Sequence, residues 1–515
     1  MSDRNAKALL PFGTKPFPCA WIIALAFTLP AGVAGDGPRP TPLTGIEVSV
    51  LDNDAIAFGT FQSHNQKVVS TRDGVFTTHV RKSNTNYTAQ QWRLSRSVDA
   101  GKSFTTILED IHATSAPAIE VDREGNLFLG RPDFLDGNAY LFRLDAPRFD
   151  KPQQAAKLGT GSAGKYCLLL DEPRKQLYWF PNNNTFHVVA LDGRVRTNLT
   201  LLAAGKRAVV QYPHLTLDSA GTLFAAWTTS RPTGYLYHSV HAIRSPDGGQ
   251  SWQALDGRPL GLPIIADDGG PSTQISKDSE FDVHTWLSAF MVKDAKLHFV
   301  YWAETTPQRQ WYRRYDATTG KAEIEMENIF AARKQEKPND SGAFAARRAA
   351  SNSPLYFVST VDDRKRLACL ASDDNGRSWY EYAISDRVFP FRVYSIGTAR
   401  DLSHDGMIVG TFTDVVEQAK LYYDDHSGHV YFFRIQAGVC RANLRKFNHR
   451  AGRLRLAFDE IRGQPGQIRL SFADGSWSDW HLFAPQLDIA LKRQPQQYQL
   501  KSRLDVLSPP QKLAK

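Results

Sequence analysis

The chain reads as an all-β protein, a seven-bladed β-propeller followed by a small C-terminal β appendage, and three observations carry that reading. A hairpin octapeptide recurs three times, a looser strand–turn–strand unit recurs seven times, and no heptad or long helical stripe interrupts them. Six blades are the alternative count.

The octapeptide is Ser97-Val-Asp99-Ala-Gly101-Lys-Ser103-Phe104, Ser245-Pro-Asp247-Gly-Gly249-Gln-Ser251-Trp252 and Ser372-Asp-Asp374-Asn-Gly376-Arg-Ser378-Trp379. Its carboxylate accepts backbone amides across a tight turn, its glycine adopts a conformation that other residues resist, and its closing aromatic buries a ring. The copies start 148 and 127 residues apart, too far to be the basic repeat.

The looser unit fills the gaps. Apolar strands flank turns at Asp73, Asp122, Asp171, Asp218, Asp294, Asn352 and Asp405, with steps of 49, 49, 47, 76, 58 and 53 residues. Such steps suit four short antiparallel strands per blade. The looser turn then joins the first and second strands, and the octapeptide joins the third and fourth on blades 1, 4 and 6. Asp73-Gly and Asp405-Gly are read as turns, not calcium loops. The segment from Ile46 to Thr60 is expected to pair near Val430 to Ile435 and close the ring, leaving no free edge.

The flanking regions read differently. Residues 1–35 have the layout of a secretory signal peptide: basic Arg4, Lys7 and Lys15, an apolar stretch from Cys19 to Leu29, then small residues from Gly32 to Gly35. A secreted or periplasmic protein with no stable membrane span after cleavage is the expectation, with an uncleaved anchor as the alternative. Cys167, Cys369 and Cys440 form neither a disulfide framework nor a zinc pattern, and buried free thiols are expected. The net charge of +9 is uneven. Residues 441–515, read as a basic β-rich appendage with a disordered end, hold 14 Lys/Arg against 6 Asp/Glu. The body from 36 to 440 is close to neutral, so only the tail favours polyanions through its net charge.

In a propeller the innermost strand of each blade lines the channel, and ligands collect where those strands begin. The expected heads are His64-Asn65-Gln66, Gln211-Tyr212-Pro213-His214, His284-Thr285-Trp286, Arg347-Arg348 and Phe391-Arg392-Val393-Tyr394. Imidazoles, phenols and guanidinium groups gathered at one rim suit an acidic sugar, with Trp286 or Trp302 as a stacking platform. His64, Tyr212, His284 and Arg392 are the expected catalytic residues. His79, His214, Arg231, Trp286, Trp302, Arg348 and Tyr394 are expected to bind substrate. No metal motif is present, nucleic acid is not an expected partner, and a structural ion and the oligomeric state stay open.

The octapeptides resemble the Asp box, or BNR repeat, of sialidase-like propellers. His64-Asn65 before a strand–Asp-Gly–strand unit, Tyr212-Pro213 before LTLDSAGTLFAAW, and the run from Tyr237 to Pro263 are similar to the BNR-repeat family that includes seven-bladed polysaccharide lyases acting on ulvan. That resemblance spans roughly residues 45–435 and implies β-elimination on a uronate. An Arg or His neutralises the carboxylate, a Tyr or His takes the C5 proton, and an acid protonates the leaving oxygen. His64 matches the family's first His and Tyr212 its Tyr. The second His falls near Asn84, with His79 the closest in this chain. The Arg falls at Thr228-Thr229, with Arg231 displaced from it.

Two further classes stand beside the lyase. An exo-sialidase-like hydrolase needs three Arg on a carboxylate and a Tyr–Glu nucleophile pair, for which Tyr394 and Glu304 are the candidates. Its N-terminal Phe-Arg-Ile-Pro is matched only by Phe433-Arg434-Ile435-Gln436, at the far end of the chain. The third class is a glycan-binding propeller without turnover.

Overall fold

The computed structural model describes residues 41–513, apart from 57, 62–63, 82–89, 114, 134–135, 161–164, 206–208, 231–236, 268–269, 331–340 and 416–427. The expected leader at 1–35 lies outside the described residues. Everything from Pro42 onward forms one unit.

Among the described residues the strands before Gly438 build an all-β propeller of seven antiparallel units of four, and five further two-residue strands add to the edges or pair beside them. Their first strands are Val68–Thr71, Ala118–Val121, Tyr166–Asp171, Val209–Leu217, Thr285–Lys293, Ala343–Ala346 and Arg392–Thr398. First strands of consecutive blades lie side by side from blade 1 to blade 7. All seven looser turns fall between a first and a second strand. Periodicity in the turn chemistry thus locates the blades, because each blade must reverse direction at the same point.

The last blade is completed from the other end of the chain. Strand Glu47–Ala55 pairs antiparallel with Gly428–Gln436, with Val48 opposite Phe433 and Val50 opposite Tyr431. At its far end Ala55 meets Arg81 of blade 1, so one hydrogen-bonded sheet runs through the seam. His79 sits here, in the second strand of blade 1. Its Nε2 is 3.1 Å from Asp52 Oδ2 on the closing strand, and Arg93 and Arg81 reach the same carboxylate at 3.2 and 3.4 Å. Burial raises the Asp52 pKa, but the His79 hydrogen bond, the Asp54 amide and the nearby positive charges outweigh it and bring it to about 2. Burial also pushes His79 down, so the pair is a neutral imidazole donating to a carboxylate whose charge partners are the two arginines.

The three octapeptides make one repeated joint. In each, the carboxylate accepts the backbone amide and the hydroxyl of the serine four residues on: 2.9 and 2.6 Å at Asp99, at Asp247 and at Asp374. The first serine's hydroxyl bonds that carboxylate and accepts the glycine amide. The glycines sit at φ between 87° and 94° against an aromatic of the preceding blade. A Cβ would lie 2.0 Å from Phe432 at Gly101, 2.5 Å from Phe186 at Gly249 and 1.7 Å from Tyr312 at Gly376. Phe104, Trp252 and Trp379 meet those same three rings edge-on, with centroids 5.1, 5.2 and 5.3 Å apart. The octapeptide is therefore a bolt between neighbouring blades.

After Gly438 a separate β module folds around its own core of Leu454, Leu456, Ile468, Leu470 and Leu500. One sheet holds Arg441–Arg450, Arg453–Arg462 and Gln486–Ala490, and a second holds His481–Leu482, Pro465–Ser471, Gln497–Ser502 and Gln511–Lys512. The end expected to be disordered is thus paired in register, because Tyr498 and Leu500 alternate inward and fill the core. The module is tied to blade 6, where the Gly463 amide donates to Asp373 and Tyr380. Cys167, Cys369 and Cys440 are buried free thiols. Among the described residues no helix is long and apolar enough to cross a membrane.

Candidate active site where the inner strands begin

Blades 1 and 4 meet across the channel through their histidines. His64 heads the first strand of blade 1 and is buried. Its ring lies 5.8 Å from Tyr212 and 5.5 Å from His214 of blade 4. Burial, then the charges of His214, Lys67, Lys165 and Arg400, holds the His64 pKa well below its usual value, and burial takes His214 to about 3. Both are neutral imidazoles at neutral pH. Nε2 of each is buried without a hydrogen-bond partner among the described residues, as is the Asn65 side-chain amide. Orphaned polar atoms of this kind each cost about 1–3 kcal/mol, a cost that a polar ligand would relieve.

Tyr212 is placed by backbone strain. The strand bulges between Gln211 and His214, and Tyr212 takes φ +48° immediately before Pro213. A non-glycine residue in this region costs about 1–3 kcal/mol and persists only where its surroundings hold it. The bulge turns the phenol toward the channel mouth. Its hydroxyl is 2.6 Å from that of Tyr237, whose backbone amide donates to His284 Nδ1 at 3.2 Å. Aromatic contacts continue from Tyr237 to His284 and Trp286, and Trp286 lies 4.3 Å from Trp302. On the other side Phe61 meets Tyr212 edge-on and stacks on Tyr394 at 5.8 Å. Blade 7 repeats the device, with a bulge between Tyr394 and Gly397 and Ser395 at φ +53°.

Cations underlie this aromatic arc, and the sequence reading missed them. Lys165 immediately precedes the first strand of blade 3. Its Nζ lies 5.2 Å from the Tyr212 ring centroid and donates to Gln211 Oε1, and burial lowers its pKa to about 8. Lys67 is fully buried, donates to the Asn65 carbonyl at 2.9 Å, and is pushed well below its usual pKa by burial. Arg400 follows the first strand of blade 7. It bonds Glu120 of blade 2 and the Leu168 carbonyl of blade 3, while its amide donates to Gln66 of blade 1. A single arginine thus ties four blades together around the channel.

The other expected residues fall elsewhere. Arg348 is displaced from the rim: the first strand of blade 6 is Ala343–Ala346, so Arg347-Arg348 follow it instead of heading it, and Arg348 faces Asp401 at 3.8 Å. Arg392 heads its strand but is half exposed and pairs with Asp363 at 3.7 Å. His79 belongs to the seam. Glu304 is exposed after the second strand of blade 5, on a different element from Tyr394, and its amide donates to the His284 carbonyl. Arg231 and Asn84 lie outside the described residues.

No protein-family model matches this chain, and no curated protein does. Solved structures do. An ulvan lyase of polysaccharide lyase family PL25 superposes with a TM-score of 0.51 at 10% identity, covering 74% of this chain and 94% of its own. The form of that lyase bound to -[GlcA(1-4)Rha3S]- gives 0.52 over the same shares. The polysaccharide lyase Uly1 gives 0.50 at 10% identity, covering 76% of this chain and 99% of its own. At such identity the likeness is one of fold.

Proposed function

We propose that this protein is a carbohydrate-active propeller that cleaves uronate-containing polysaccharide by β-elimination, outside the cytoplasm if the leader acts as its sequence implies. The observation that carries the reading is the meeting of His64, Tyr212, His214 and Lys165, from blades 1, 4 and 3, at one mouth of the channel. Lys165 stands in for the arginine that the family resemblance requires. Its ammonium group lies against the uronate carboxylate and acidifies the C5 hydrogen. Neutral His64 takes that proton, Tyr212 donates its hydroxyl proton to the leaving oxygen, and Tyr237 resupplies it. The C5–H and C4–O bonds break as the C4–C5 double bond forms. Membership of the Asp-box family accords with the three bolted turns.

Incubation with a panel of polyuronates tests the reading, because the unsaturated product absorbs in the ultraviolet. Growth of that absorbance with wild type and its loss in His64→Ala is the expected result. The depth at which His64 and His214 are buried, at 3% and 4% exposure, favours glycan binding without turnover as a second reading. Wild-type affinity for polyuronate with no product would select it, and release of a sialic acid from sialosides would select a hydrolase instead.

A further inference from the structure

The C-terminal module presents a surface that the propeller site does not use. In its three-stranded sheet Leu454, Leu456 and Ile489 point into the core, so the alternate residues point out. The register sets Lys446 opposite Ala457 and Gln486, Asn448 opposite Arg455 and Asp488, and Arg450 opposite Arg453 and Ala490. Over these three rows the outward face holds four cations, one carboxylate, two amides and two alanines, and the next row adds Asn443 opposite exposed Asp459. Asp488 is shared, at 2.9 Å from Arg453 and 3.3 Å from Arg455, whose side chains are 55% and 68% exposed. Lys446 and Arg450 are exposed beside them. Arg450 directly across from Arg453 is a like-charge pairing, which destabilises a sheet standing alone and is relieved by an anion.

We infer that this face is a second binding site for acidic polysaccharide, separate from the propeller site. The inference rests on the proposed function for the identity of the polymer, but not for the existence of the site. Three features select the ligand class. The excess of cations requires a polyanion. Asn448 and Gln486 offer amides that bond hydroxyl groups. No aromatic or large apolar side chain lies on the face, so it offers neither a platform for stacking bases nor a wedge for a lipid surface. Topology puts the site away from the channel mouth, since the module is tied to the octapeptide turn of blade 6, at the rim opposite the heads of the inner strands. A long chain engages both sites and a short oligosaccharide only one, so the module raises the affinity for polymer alone.

The test uses the full chain in native gels containing polygalacturonate, neutral dextran or double-stranded DNA. Wild type is expected to be retarded by polygalacturonate and not by dextran. Lys446→Gln/Arg450→Gln/Arg455→Gln is expected to lose that retardation by roughly tenfold in apparent Kd, with a steep salt dependence in the wild type. These side chains are exposed, and an unchanged melting temperature establishes that the variant is folded. Failed turnover by the wild type together with intact, triple-variant-sensitive retardation overturns only the propeller reading. Retardation of the triple variant equal to wild type overturns the inference. Tighter, more salt-sensitive retardation by DNA than by polygalacturonate also overturns it and makes the face a nucleic-acid site.

Discussion

The two rims of the propeller are built on opposite principles. At one rim, the carboxylate of each octapeptide turn is met by hydroxyl and amide donors, and the glycine and aromatic of the turn lock onto the preceding blade. At the other, Tyr212 and Ser395 hold strained backbones, and the His64 and His214 Nε2 atoms lack partners among the described residues. The octapeptide turns carry some of the same features, Ala100 and Asn375 at positive φ and the Trp252 and Trp379 Nε1 atoms without partners among the described residues, so what sets the other rim apart is that its orphaned atoms are imidazoles of two facing blades. The rim that is conspicuous in the sequence is the bolted one, and the rim with the weaker signature gathers the imidazoles and phenols.

The largest effect that breaks this comparison belongs to the strained rim. His64→Ala and Tyr212→Phe should each lower kcat on polyuronate by roughly 10²–10⁴-fold, the usual worth of a positioned acid or base, with melting temperatures near wild type. A loss of stability without a selective loss of kcat would return both residues to the scaffold.

The bolted rim should respond in stability alone. Gly376→Ala drives a Cβ into Tyr312 at a backbone angle of +88° and should cost about 2–4 kcal/mol in urea unfolding. Gly137→Ala has a similar positive φ of +69° with nothing within 4 Å, and should cost only about 1 kcal/mol. Equal costs would mean that the joint between blades contributes nothing beyond backbone strain.

The seam gives a smaller, pH-dependent effect. The folded Asp52 pKa of about 2 lies below the ordinary 3.8, so this carboxylate stabilises the fold above 3.8 and loses that contribution as pH falls toward 2. The contribution is about 2 kcal/mol. His79 is also depressed, so its contribution declines first, as pH falls below 6.5. Asp52→Asn should flatten the acid limb of a stability–pH curve, and an unaltered limb would assign acid unfolding to other carboxylates.

The subtlest test concerns Lys165. With its pKa lowered to about 8 by burial, the ammonium group is present below that pH and lost above it. Activity should fall as pH rises through about 8, and Lys165→Arg should carry the plateau to higher pH while retaining turnover. A falling limb unmoved by that substitution would separate Lys165 from the carboxylate.

What could be read from the sequence follows from how local each signal is. The octapeptides and the seven turns are set by short-range turn chemistry and alternation, which survive in a linear text, and the pairing of the 47–55 segment with the last blade follows from the closure that a propeller needs. Lys165 was missed although the same rule reaches it, because it heads the first strand of blade 3 as a lone cation with no histidine or aromatic before it. Arg348 was set at the wrong end because Ala343–Ala346 is short and small, and the arginines after it resemble the start of the next strand. The bridge from Arg400 to Glu120 joins residues 280 apart and depends wholly on the closed ring. Order at the C-terminus was hidden because a glutamine-rich stretch looks polar overall, while only Tyr498 and Leu500 face inward.

The seam has a temporal side as well. Glu47 finds its ion-pair partner, Arg434, 387 residues later. During synthesis the Glu47–Ala55 strand therefore waits for its main partner until the final blade exists. Such distant pairing is slow, and a waiting edge is open to mispairing. Closure of the ring is therefore the last step in the propeller that the order of synthesis allows.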